Sequence, residues 1–195
     1  MRQLTIAVLL VSGLVGFAPT SAQATQVSIE VRHTPMLVRP KDFPSLCGIL
    51  AFSLTEHLWI GAGYELIQDY DAILWKSEYE GHKPIAMSGI RAGAWYRGGA
   101  TRHGMSWAAG GLLTYANPGV TFGGPSPQGL GRDTYVVDFG ADLSIGHVWR
   151  FVRLEGFATP AWSYGRIVSP AIGTEERYSA FTYRIGGALA FLLGS

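Results

Sequence analysis

From residue 48 to residue 193 the chain is a succession of segments about ten residues long in which every second position is apolar. One parity of that alternation repeatedly carries charge: Glu65, Arg91, Asp138, Asp142, Arg153, Glu155 and Arg184. A period of two is the period of a β-strand, whose successive side chains point to opposite faces of the sheet. The segment 133 to 145 separates the faces best. Tyr135, Val137, Phe139, Ala141, Leu143 and Ile145 share one parity, and Val136, Asp138, Gly140, Asp142 and Ser144 share the other. The charges travel with glycine, while the opposite parity is too continuously apolar to face water. A lipocalin-like barrel has the reverse arrangement, with its apolar face inside. The pattern therefore describes a closed sheet that encloses its charges and turns its apolar face to hydrocarbon, an all-β transmembrane barrel.

The N-terminus fits such a destination. Residues 1 to 24 have the parts of a secretory signal peptide: Arg2, an apolar run from Leu4 to Phe17, and Ser21-Ala22-Gln23-Ala24 as a small-residue cleavage site. The run is shorter than the ~20 residues of a spanning helix, so residues 25 to 195 are expected to be one exported domain in the outer membrane of a Gram-negative cell. Cys47, the single cysteine, lies far beyond the cleavage site and has no partner for an intrachain disulfide. Losing Arg2 leaves 14 basic and 14 acidic residues, a formal charge of zero, which offers nothing to nucleic acid.

Eight strands are predicted, at 26 to 34, 47 to 54, 57 to 68, 85 to 97, 104 to 116, 133 to 145, 148 to 159 and 178 to 193. Short connections fall at Thr55-Glu56, Gly98 to His103 and Gly146-His147, and long ones at 35 to 46, 69 to 84, 117 to 132 and 160 to 177. With both termini periplasmic, the short turns are periplasmic and the long loops external. Proline cannot donate to a ladder, and every proline beyond residue 24 falls in a predicted long loop: Pro35, Pro40, Pro44, Pro84, Pro118, Pro125, Pro127, Pro160 and Pro170.

A charge at the lipid-facing midplane costs roughly 2–4 kcal/mol for Arg or Lys and less for an acid, so the charged parity must turn inward. That collects Glu30, Glu65, Asp138, Asp142 and Glu155 against Arg32, Arg91, Arg153 and Arg184, five acids to four bases. An eight-stranded barrel is just wide enough for side chains to fill it. The charges are therefore expected to pair, with inward glycines making room, into a packed ionic plug. Tyr96 and Trp107 are expected in a periplasmic aromatic belt and Tyr115, Tyr135 and Tyr178 in an outer one. Trp59, Trp95, Trp149 and Phe151 are placed inward, Val148 outward, and Arg150 on the lipid parity, where it would have to snorkel.

On this pattern the chain resembles the small eight-stranded bacterial outer-membrane proteins, the class that includes the OmpA transmembrane domain and OmpX. The resemblance spans nearly all of residues 25 to 195. Members usually end in an aromatic residue read by the assembly machinery, whereas this chain ends Phe191-Leu192-Leu193-Gly194-Ser195. The resemblance implies a non-enzymatic envelope or surface role, with outer-membrane lipid and a protein met by the outer loops as partners. Some barrels of this kind modify lipid, and a lipid-modifying enzyme is the alternative reading, although no histidine here has the His-x-Ser arrangement of the lipid A deacylases resembling PagL. Glu78, Glu80 and His82 form one short cluster without a second ligand source. The glycine-rich stretch 123 to 131 lacks the strand-to-helix setting and Lys-Ser/Thr ending of a phosphate loop. No catalytic residue, cofactor site or metal site is assigned.

Overall fold

The alternating segments form eight antiparallel strands: β1 (Val27–Val38), β2 (Ser45–Ser53), β3 (Leu58–Gln68), β4 (Ala86–Gly99), β5 (His103–Asn117), β6 (Tyr135–Trp149), β7 (Val152–Ser169) and β8 (Thr174–Leu193). Each pairs with its neighbours in sequence, and β1 also pairs with β8, which closes an up-and-down barrel. This computed structural model describes residues 26–38, 45–68, 86–117, 133–169 and 173–194. The segment 1 to 24, the cluster Glu78, Glu80 and His82, the stretch 123 to 131, and Pro40, Pro44, Pro84, Pro118, Pro125, Pro127 and Pro170 lie outside those residues.

Closure leaves the backbone of a spanning sheet without an open edge, and the register shows how it is made. Partners can be followed once round the barrel: Gly99, Ser106, Gly146, Glu155, Ala188, Arg32, Cys47, Glu65 and Gly89. The row starts on β4 at Gly99 and returns to β4 ten residues away at Gly89. With eight strands and ordinary strand spacings, a stagger of ten gives a tilt of about 40° and a backbone radius of about 8 Å. Only side chains fit inside.

Three tight turns gather at one end of the barrel with Gln26 and Gly194; this is the turn end. In the first, Leu54 N and Thr55 N donate to Leu58 O at 2.7 and 3.3 Å, while Thr55 Oγ1 accepts from Leu58 N at 3.0 Å. In the second, Ala100 N donates to Met105 O at 2.7 Å. The third is Arg150-Phe151, with Arg150 at φ 54° and its N–H donating to Arg102 O at 2.6 Å.

That third turn corrects the reading of Gly146-His147 as a connection. β6 runs on through both residues to Trp149, because Gly146 sits where Glu155 crosses; a Cβ there would meet Glu155 Cγ at 2.7 Å. The shift of four residues reassigns the flanking side chains. Val148 is buried inside, Trp149 and Phe151 are exposed outside, and Arg150 belongs to the turn. His103 and His147 lie in strands rather than in turns.

Two prolines also lie in strands. Pro35 sits in β1 where its register with β8 shifts between His33 and Met36, a bulge, which tolerates a missing donor. Pro160 lies within β7 and stays in register with Tyr183 of β8. On the other side the β6–β7 pairing runs from Gly140↔Ala161 to Leu143↔Ala158 without Pro160 and Thr159, and the Thr159 hydroxyl instead donates to Asp142 Oδ1 at 2.7 Å. β7 and β8 therefore continue well past the predicted boundaries, to 18 and 20 residues, against 9 for β2.

Candidate functional site

Parity turns charged side chains from β1, β3, β4, β6, β7 and β8 into the lumen, where they form two groups. Nearer the turn end, Glu30 accepts from three arginines: Arg97 Nη2 at 2.5 Å, Arg153 Nη2 at 2.7 Å and Arg32 Nε at 3.3 Å. Glu155 lies 3.0 Å from Arg153 Nε and 3.3 Å from Arg97 Nη1. Arg32 reaches on to Asp142 at 2.5 Å, whose carboxylate also accepts from Trp95 Nε1 at 2.6 Å and from Thr159. The guanidiniums lie against rings as well: Arg32 over Trp95 and Phe157 at 5.5 and 5.2 Å, and Arg97 over Trp59 at 5.5 Å.

Toward the far end, Glu65 Oε1 accepts from Arg91 at 2.7 Å, Arg184 at 2.8 Å and the Ser45 hydroxyl at 2.7 Å. Arg184 also pairs with Asp138, which takes the Ser163 hydroxyl at 2.5 Å. Arg91 Nε donates to Thr114 Oγ1 at 3.2 Å. All of these charged groups are buried. At that depth a charge persists only if it is matched, and each group is neutral in itself: Glu30, Asp142 and Glu155 against Arg32, Arg97 and Arg153, then Glu65 and Asp138 against Arg91 and Arg184.

Arg97 is the member that reading the sequence left out. It is 7% exposed and continues the inward parity of Arg91, Gly93 and Trp95, but it lies close to the strand end. The surplus of one acid among the residues chosen was the signal of a missing base.

Glycine makes the crowding possible. The Trp95 ring lies where Gly93 and Gly110 offer no side chain; a Cβ at either would meet ring atoms at 2.6 to 2.7 Å. Below the ionic groups a cavity of about 60 Å³ opens at the turn end, lined by Trp59, Arg97, Ser106, Trp107, Arg153 and Glu155 among others. Arg97, Arg153 and Glu155 of the first ionic group contribute to its wall.

Outside, the opposite parity presents Ile29, Leu50, Leu113, Phe139, Leu143, Ile185, Leu189 and Phe191, each exposed. Trp107 packs on Tyr96 at 5.7 Å toward the turn end, and Tyr135 on Tyr164 at 6.0 Å and Phe181 on Tyr183 at 5.3 Å toward the far end. Among the described residues no histidine hydrogen-bonds a serine or a carboxylate; His57 Nδ1 lies 3.0 Å from Arg97 O. Nor do those residues contain a group of three or more His, Cys, Asp or Glu arranged to hold a metal ion.

With this geometry in hand, solved structures give a match. Neisserial surface protein A superposes with a TM-score of 0.53 over 87% of this chain and 98% of that one, at 14% identity. The chain shares that protein's barrel fold. The N-terminal β-barrel domain of Pseudomonas aeruginosa OprF aligns over 87% of this chain and 97% of its own, with a TM-score of 0.43 and 11% identity. No protein-family profile and no curated protein sequence matches the chain.

Proposed function

We propose that the chain is an integral outer-membrane protein, exported by its N-terminal signal and closed to solute flow by its ionic core, with a non-enzymatic role at the cell surface. The observation that carries this reading is the inversion of the barrel: paired charges fill the lumen while aliphatic and aromatic side chains cover the exterior. Such a surface is stable against hydrocarbon and unstable in water. The aromatic pairs near both ends match the two interfaces of a bilayer, with the turn end in the periplasm. A spanning strand needs about 9–11 residues. β7 and β8, at 18 and 20 residues, exceed that by about eight and about ten, so a hairpin roughly 25–35 Å long along its strands continues beyond the outer leaflet. That hairpin, with the long connections, is the part a surface partner would meet.

The test is to fractionate cells expressing the protein and load the outer-membrane fraction on a gel with and without boiling. A band in that fraction whose mobility changes only on heating supports the reading. Recovery in the soluble fraction, with one mobility under both conditions, contradicts it.

A further inference from the structure

The barrel's outer wall carries a group of side chains that the ionic core does not involve. On β5 and β6, close to the turn end, His103 is in register with Trp149 and Met105 with His147. All four face outward, on the parity of Trp107 and Ile145. The imidazoles of His103 and His147 stand 5.1 Å apart at 82° to one another, and Trp149 packs on His147 with ring centres 4.4 Å apart. Met105 is 60% exposed directly across from His147. Although His147 itself is half-buried, its Nε2 is enclosed and has no hydrogen-bond partner, an unusual state for a polar nitrogen.

We propose that His103, His147 and Met105 form a surface site for a soft, singly charged transition-metal ion, Cu(I), at the periplasmic rim of the barrel. Two imidazoles bound to one ion at about 2.0 Å in tetrahedral geometry have their ring centres roughly 5 Å apart, which is the separation found. His103 is exposed and can turn to share an ion without moving the backbone. Two imidazoles and a thioether form a soft donor set, and thioether favours Cu(I) over hard cations. The adjoining turns supply Arg102 and Arg150, joined by the bond from Arg150 N to Arg102 O. Positive neighbours of that kind weigh against a doubly charged ion more than a singly charged one. Reading the sequence placed His103 and His147 in separate turns. Only the pairing of β5 with β6 brings them together.

The experiment uses untagged chain folded in detergent, with fold verified by heat-dependent gel mobility. Cu(I), kept reduced with ascorbate, is competed against a chromogenic chelator. One equivalent should bind. His103→Ala and His147→Ala should each weaken binding by at least about tenfold, the lower end of what even an outer-shell partner is worth. Met105→Leu should weaken Cu(I) while leaving Ni(II) binding unchanged, and His57→Ala should change nothing. Wild-type binding no tighter than that of His147→Ala would overturn the site, as would a loss in His57→Ala equal to the loss in the site variants.

Discussion

At the turn end of the lumen the arginines lie against aromatic rings, Arg32 on Trp95 and Phe157 and Arg97 on Trp59; at the far end Arg91 and Arg184 stand among the hydroxyls of Thr114, Ser45 and Ser163. Both regions bury balanced charge, yet they divide the work differently. Near the turns one arginine spans two carboxylates and also fills space, so charge and packing reside in the same side chain. Farther up, Arg184 likewise spans Glu65 and Asp138, but among hydroxyls instead of rings, and Arg91 shares Glu65 with it. A buried network can thus join charge and packing in one side chain at one end and separate them at the other within a single barrel.

Substitutions separate the two, beginning with the largest effect. Arg32→Met leaves Asp142 without an arginine and removes the packing on Trp95 and Phe157, so the folded barrel should lose about 3–5 kcal/mol in urea titrations, the usual result of stranding a buried charge. Gly93→Val forces a methyl-bearing carbon into the Trp95 ring and should cost about 1–3 kcal/mol in the same assay. Arg91→Met, by contrast, leaves Glu65 with Arg184 and Ser45, and about 1.5 kcal/mol is expected, toward the low end for a hydrogen bond to a charged group. A loss for Arg91→Met as large as that for Arg32→Met would remove the distinction between the two regions.

The smallest effect belongs to the hairpin. Glu175 accepts from Arg166 at 2.9 and 3.0 Å and from Arg177 at 2.9 Å. Those bonds hold its carboxyl below the usual range. Its contribution is therefore present above the ordinary carboxylate pKa and lost as pH falls through the lowered value. Because the group is exposed, the loss should register only as faster amide exchange at the hairpin tip, with Glu175→Gln already fast at neutral pH and the barrel's urea midpoint unchanged.

The inward and outward faces were legible in the sequence because misplacing a charge on a hydrocarbon face is costly, which ties parity to position along a whole strand. Where no such cost acts, composition misplaces the strand ends. Gly146 suggested a turn by composition, but the strand needs it for the passage of Glu155, and the turn is made by Arg150 in a left-handed conformation. Pro160 was read as a strand end, yet β7 continues through it because the missing donor falls on the β6 side, where Thr159 and Asp142 bond through their side chains. The contact of His103 with His147 depends on register, which alternation along one strand does not contain.

The central claim is that the outer wall meets lipid while the hairpin meets water. Spin labels at Leu143, Ile185 and Arg177, in a Cys47→Ser background and in bilayers, test it through their relaxation by oxygen and by a water-soluble nickel chelate. Labels at Leu143 and Ile185 should respond to oxygen and be silent to nickel, and the label at Arg177 should do the reverse. Strong nickel relaxation at Leu143 and Ile185 would mean that this face is wet and that the barrel does not span the membrane.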